Sequence, residues 1–395
     1  MESLGRTGHG RPGCPVGHVE LADRVADFVS SRVMPQEQVL DAGGEPAAAA
    51  MRGLQREARR EGLWALPLPA ELGGQGVALP EHAHLAEAEG ASDHGPVALG
   101  SAPLLDVLML QRHGSDRVRR EYPARITAGE MSACYAMTEP GVPGTDPPAV
   151  RTRAVQQGDG SWQISGRKWF TSGAAGADLV TVLARTDGLA GDREGLSLLL
   201  VPTSASGFRV VRELPVMGAG GQWEIEFDHV TVPADHLLGD RGKALAVASE
   251  RLQLGRALRC LRWLGQAQRA FGLMRERAAE RTGARGVLLG EQQLVQRHVF
   301  EALLAIRTTR PLVHEAVARI HAGDEAHVEV GLAKVAAARM LQQVADAAIQ
   351  IHGAEGLGPG TPLPALFRTG RAARILDGPD ELHMTSVARR VLRQR

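Results

Sequence analysis

QIHGAEGLGPGTPLPALFRTGRAARILDGPDELH, Gln350 to His383, joins the end of an apolar helix to a Gly-rich turn and then, in a second turn, to an acidic residue. Ahead of it, Ala337, Leu341, Val344, Ala348 and Ile351 keep three-and-four spacing, which lines up one helix face against a core. Gly353 lacks a side chain, so another group can approach the backbone where this helix ends. His352, a single histidine beside that turn, reads as a packed or solvent-facing residue and not as a catalyst. Working back, Leu261, Leu264, Ala267, Phe271, Met274 and Ala278 repeat the same spacing and predict a second buried helix.

Further upstream the texture changes. Between Met131 and Gly239, short runs such as ADLVTVLAR, GLSLLLVP and WEIEFDHVTVP are separated by Gly, Asp and Pro clusters, the pattern of a small β domain. Before Glu130, LADRVADFVSSRV, AAAAMRGLQREARREGLWAL and LPEHAHLAEAEGAS predict a helical first domain, with Gly73, Gly74 and Gly76 in a tight loop between helices. Pattern alone therefore gives an α+β protein with helical, β and helical parts in that order. The opening MESLGRTGHGRPGCPVGH has no apolar core and is expected to be a flexible leader.

The bulk numbers narrow the function. Forty-five basic and forty-five acidic residues leave no net charge, so neither nucleic acid nor an anionic membrane is favoured. No window reaches the roughly 18 apolar residues of a membrane span. Cys14, Cys134 and Cys260 lie far apart without a CxxC pair, which argues against a disulfide framework and a zinc site and suits the cytoplasm.

Three segments, in order, resemble the acyl-CoA dehydrogenase family: CYAMTEPGVPGTDPPAV (Cys134 to Val150), ISGRKWFTSGA (Ile164 to Ala174) and the Gln350 to His383 stretch. A weaker fourth, ERTGARGVLLGEQQ, has Ala284 and Arg285 where relatives carry an aromatic and a glycine. The resemblance implies an N-terminal helical domain (18–130) after the leader (1–17), a middle β-barrel-like domain (131–240) and a C-terminal four-helix-bundle domain (241–395). It also implies FAD, and FAD-dependent α,β-dehydrogenation of an acyl thioester held on CoA or on an acyl carrier protein. Electron-transfer flavoprotein is the expected acceptor, and a homo-oligomer, dimer or tetramer, the expected assembly.

Carried over residue by residue, the resemblance makes Asp377, twenty-seven positions after Gln350, the base that removes the α-proton. Most relatives have Glu there, and LDGPDE resembles the branch that uses Asp, which is also similar in its longer TEP loop. Gly255 stands at an alternative base position found in some relatives and leaves Asp377 as the base the resemblance supports. A flavin needs donors where charge accumulates on reduction, and Met137 and Thr138 match the positions that provide them. Thr145 matches a residue near both pyrophosphate and acyl-CoA, and the resemblance implies that Trp169 packs against the isoalloxazine and that Thr171 bonds N5. Arg281, Gln292, Pro379 and, toward a neighbouring subunit, Gln350, Gly353 and Ala354 complete the cofactor set. Arg256 and Gly378 join Thr145 as substrate contacts. An oxygen-using flavin oxidase or monooxygenase on the same scaffold, and a non-catalytic scaffold, remain the other readings.

Overall fold

The structure is a computed structural model that describes residues 16–283 and 286–393, with side chains from residue 20. Residues 1–15 of the expected leader lie outside it, and the first helix begins at Val16, two residues inside that leader. The first domain comprises α1 (Val16–Phe28), α2 (Glu37–Ala42), α3 (Gly44–Arg60), α4 (Leu79–Glu89), α5 (Gly95–Ala98), α6 (Leu104–His113), α7 (Asp116–Glu121) and α8 (Pro123–Thr127). The helical run expected through Leu66 stops at Arg60. There Gly62 takes the left-handed conformation (φ +67°), its N–H bonds Arg59 O, and Leu63 N–H returns to Ala58 O, which satisfies the last carbonyls. The Gly73 to Gly76 loop wraps tightly: Gly74 N–H reaches Pro69 O, Gly76 N–H reaches Leu68 O, and a Cβ at Gly74 would stand 2.2 Å from Leu68 O.

Next come β1 (Ala133–Ala136), β2 (Arg153–Gln156), β3 (Trp162–Ser172), β4 (Leu179–Arg185), β5 (Leu196–Pro202), β6 (Phe208–Glu213), β7 (Gln222–Val232) and β8 (Leu237–Leu238). They form one sheet in the order β6-β7-β3-β2-β4-β5-β8, with β1 parallel to β4. The apolar runs of β4 and β5 are explained by burial on both faces. Leu179, Leu183, Leu196, Leu198 and Leu200 face the helical core, whereas Val180, Val182, Ala184, Leu199 and Val201 face the core of the β domain. By the same alternation, Cys134 and Ala136 of β1 enter the β core, and Tyr135 and Met137 pack toward the helices.

The last domain holds α9 (Ala244–Glu280), α10 (Gln293–Ala322), α11 (His327–His352), α12 (Leu363–Ala373) and α13 (Asp380–Arg393). Every member of both predicted stripes is buried, on α9 and α11 respectively. Helix α9 is clamped to the end of α4 by two glycines. A Cβ on Gly265 would lie 2.0 Å from Glu87 O, and one on Gly90 would lie 2.3 Å from the Cα of Arg262, so only hydrogen fits at either place.

Candidate active site

Strand β1 runs out into Met137 and Thr138. The Thr138 hydroxyl donates to Trp169 O at 2.7 Å, and Trp169 N–H returns to Thr138 O at 3.0 Å, tying the loop to β3. Beneath this pair, Glu139 accepts from Arg151 N–H (2.7 Å), Thr152 N–H (2.9 Å) and Lys168 Nζ (2.8 Å), while Lys168 also donates to Met137 O at 2.9 Å. Both side chains are buried. Burial works against the Glu139 charge, but the Lys168 ammonium and the two amides outweigh it and hold the carboxyl below its usual range. The Lys168 ammonium is brought down to about 8, chiefly by burial. This buried pair fixes the turn that carries Met137 and Thr138.

The pairing of β3 with β7 shifts between Lys168 and Thr171. Phe170 absorbs the irregularity in a left-handed conformation (φ +49°) and points outward, leaving Trp169 half-buried and Thr171 buried. The Thr171 hydroxyl has no protein partner. A buried hydroxyl without a partner costs free energy, so its position beside Trp169 fits a site completed by a polar ring atom of a cofactor. The residues present thus fit FAD: Thr171 would hold an acceptor on the flavin, and Trp169 would cover the ring.

Asp377 occupies the turn between α12 and α13. Asp377 and Gly378 both take positive φ (+56° and +99°). The left-handed region accepts Asp far more readily than longer side chains, a local reason for Asp here. A Cβ on Gly378 would meet Leu382 Cδ2 at 2.9 Å and His383 Nε2 at 3.0 Å, so that position needs glycine. The Asp377 carbonyl accepts from Arg256 Nε (2.9 Å) and from His383 Nε2 (3.1 Å), which fixes that ring nitrogen as the donor. Its Oδ2 is buried without an aligned donor and stands 3.4 Å from Arg259 Nε. The second carboxylate of the turn is different. Asp380 is 1% exposed and faces Lys334 (3.2 Å), Arg374 (3.0 Å) and Arg339 (3.4 Å). Burial opposes its charge, but Arg374 and Lys334 prevail and hold its carboxyl below the usual range. Asp380 is therefore committed to anchoring α13 against α11, and Glu381 is exposed. Asp377 is the carboxylate of the turn that is not enclosed by cations on several sides: among the described residues its one ion pair is with Arg259.

Sequence patterns did not reveal a further cluster between β1, α6 and α9. Arg251 bonds Asp106 at 2.7 Å, and its guanidinium lies 4.2 Å from the Tyr135 ring centroid. The Tyr135 hydroxyl and Arg251 Nε have no protein partner, and burial pushes the phenol up to about 12. Arg251 also borders a small hollow of about 30 Å³ with Leu105, Leu108, Met109, Val247 and Leu254. Gly255 faces that seam, where its Cβ would be 3.1 Å from Leu105. A cleft of about 570 Å³ lined by Arg32, Glu57, Arg60 and Glu61 in the first domain includes none of the predicted site residues.

Five of the remaining candidates, Arg281, Gln292, Gln350, Gly353 and Ala354, lie at the far end of the helices. Arg281 caps α9 and Gln292 precedes α10, joined through the bond from Leu289 N–H to Arg281 O. Arg277, one turn before Arg281, bonds Glu355 in the turn that follows Gly353 and Ala354. Arg281, Gln292, Gln350, Gly353 and Ala354 are exposed, as is Thr145, and Pro379 is half-buried beside Gly378. Ala284 and Arg285 lie outside the described residues. His352 bonds Ala348 O at 2.8 Å. Among the described residues no group of His, Cys, Asp and Glu could hold a metal ion, and no helix is long and apolar enough to cross a membrane.

Comparison with known proteins bears on the whole chain. Three domain models match in succession: "Acyl-CoA dehydrogenase, N-terminal domain" over residues 17–130, the middle domain over 134–230 and the C-terminal domain over 242–392. A relative from Mycobacterium tuberculosis described as "Probable acyl-CoA dehydrogenase FadE2" is 36% identical over 388 residues, 94% of each chain. "Acyl-CoA dehydrogenase family member 11" of Rattus norvegicus is 31% identical across 94% of this chain but only 50% of its own length, so the chain spans half of that protein. The crystal structure of an acyl-CoA dehydrogenase from Geobacillus kaustophilus superposes with a TM-score of 0.86 at 25% identity, covering 97% of this chain and 100% of that one.

Proposed function

Because this chain belongs to the acyl-CoA dehydrogenase family, a family of FAD-dependent oxidoreductases, we propose that it dehydrogenates an acyl thioester between Cα and Cβ with Asp377 as the base. The observation that carries this reading is the division of labour in one turn: Asp380 is neutralised by three cations, while Asp377 keeps a carboxylate without an aligned donor.

The α-proton of a thioester is too weakly acidic for a carboxylate in water. The site must therefore hold the base close, exclude water and stabilise the oxygen that gains charge. Arg256 and His383 pin the Asp377 carbonyl, which fixes the backbone from which its carboxylate springs, and the Asp377 N–H donates to the thioester oxygen. Asp is one methylene shorter than Glu, and a displacement near 1 Å costs on the order of 100-fold in rate, so this backbone hold matters. Bound FAD supplies the hydride acceptor, flavin N5. Thr171 would position that face of the ring, with Trp169 packed against it and Met137 and Thr138 at its charge-accumulating edge. The seam between α6 and α9, where Leu105, Leu108, Met109, Val247 and Leu254 stand alongside Arg112, His113, Glu250 and Arg251, would receive the acyl chain.

Arg281, Gln292, Gln350, Gly353 and Ala354 would serve the cofactor of a neighbouring copy, and their exposure on a single chain supports this. Exposed Leu294, Phe300 and Leu304 on α10 offer an apolar face for such a copy. Electron-transfer flavoprotein is the proposed electron acceptor.

The test is anaerobic addition of a panel of acyl-CoAs to the FAD-loaded protein while the flavin absorbance is followed. Bleaching by one acyl class is expected. Asp377→Asn should keep FAD and lose bleaching, and normal bleaching in that variant would place the base elsewhere.

A further inference from the structure

Helix α9 holds Asp377 at two points. Arg256 donates to its carbonyl, and Arg259, three residues along the same face, sets Nε 3.4 Å from its carboxylate Oδ2. Among the described residues, the ion pair with Asp377 is the one that engages Arg259. We propose that Arg259 is a positioning residue for the base, aiming the short aspartate carboxylate at the acyl α-carbon. The proposal rests on Asp377 being the base.

Chain geometry makes such an aid necessary. An aspartate has two side-chain torsions to place its oxygens, and in this turn its backbone is held in the left-handed region by Arg256, His383 and the obligatory Gly378. Backbone fixation sets the origin of the side chain but leaves its rotamer open. A charge approaching from the side selects among rotamers by attraction, without closing the oxygens into an aligned hydrogen bond. The separation seen for Arg259 has that character: close enough for attraction, without hydrogen-bond alignment to Oδ2. At 41% exposure, the Arg259 side chain contributes little to folding, because exposed ion pairs are worth little. A role in stability therefore does not account for its placement, whereas a role in geometry does.

The experiment compares Asp377→Asn, Arg259→Met and Arg259→Lys as FAD-loaded proteins, with single-turnover flavin reduction by the acyl-CoA that bleaches the wild type. Arg259→Met should slow reduction at saturating substrate by about 10- to 100-fold, the scale of a ~1 Å misplacement. Its FAD content, melting temperature and thioester affinity should match the wild type. Arg259→Lys, which restores a cation on a flexible stem, should recover most of the rate. If Asp377→Asn still reduces flavin, the assignment of the base is wrong and this inference goes with it. If Asp377→Asn is inert but Arg259→Met reduces as fast as wild type, only the role of Arg259 is overturned. Equal slowing by Met and Lys, or loss of FAD from Arg259→Met, would also overturn it, since neither follows from aiming a carboxylate with a charge.

Discussion

Replacing Lys168 by Met tests whether the buried pair under the Met137–Thr138 turn holds the cofactor side of the site. Lys168 is 0% exposed, 2.8 Å from Glu139, and also donates to Met137 O. Methionine matches its stem but supplies no donor. Glu139 would keep the amides of Arg151 and Thr152, and Met137 O would lose its Lys168 donor. Removing one partner of a buried pair costs about 3–5 kcal/mol, so about 4 kcal/mol is expected. Unfolding entropy near 2.1 cal/mol/K per residue gives roughly 0.8 kcal/mol per degree for 395 residues, hence a fall in melting temperature of about 5 °C. The double variant Lys168→Met with Glu139→Gln removes both charges and should recover about half of the loss, because a neutral replacement of a buried pair is far cheaper than a broken one. The assay is thermal unfolding of the FAD-loaded proteins, with flavin fluorescence reporting release. In Lys168→Met, FAD should leave at a lower temperature than in the wild type. A shift below about 1 °C, or single-variant effects that simply add in the double, would refute the reasoning.

Two other perturbations probe the scaffold. Glu89 is 1% exposed, and its carboxyl is raised to about 7, first by burial, with Ser101 and Arg262 pulling the other way. Its contribution to stability is therefore fully present below the unfolded value near 4.5 and is lost as pH rises through about 7. At about 1.4 kcal/mol per unit this loss is roughly 3 kcal/mol between pH 4 and 8. Glu89→Gln should flatten that slope in melting temperature against pH, and an unchanged slope would show that another group sets it. Gly265→Ala puts a methyl 2.0 Å from Glu87 O and should cost about 1–3 kcal/mol by overpacking, read by urea unfolding. A variant as stable as wild type would mean that α4 and α9 part freely.

The fold was legible where one chemical demand repeats along the chain. The two helical stripes had to be apolar at every third or fourth position, and all of their members are buried. The runs of β4 and β5 announced strands, but only the structure shows why they are apolar throughout, since both faces are covered. Asp377 could be put forward as the base because the family resemblance sets that position at a fixed distance from a glycine-rich helix end. What separates it from Asp380 left no local trace, since the three cations around Asp380 come from α11 and from the turn after α12. Glu139 was quoted within its motif without a role, because its partners lie twelve to twenty-nine residues away. The Arg251–Asp106 pair joins positions 145 residues apart and leaves no local trace, and Arg259 reads as one more arginine on an arginine-rich helix. The end of α3 at Arg60 was missed because its apolar run continues into the loop, where Leu63 and Leu66 are buried without being helical.

The glycine clamp between α4 and α9 also works as a fulcrum. Helix α9 is 37 residues long, and Arg256 stands nine residues before Gly265, roughly 13 Å along the axis at 1.5 Å per residue. A tilt of about 5° at the clamp would swing Arg256 by about 1 Å, the displacement that costs on the order of 100-fold in rate. A single methyl at Gly90 or Gly265, neither of which touches Asp377, would thus be magnified along a rigid rod into a shift at the Asp377 carboxylate, the proposed base. Loss of turnover from changes at this remote crossing would be a mechanical effect, carried by the length of one helix.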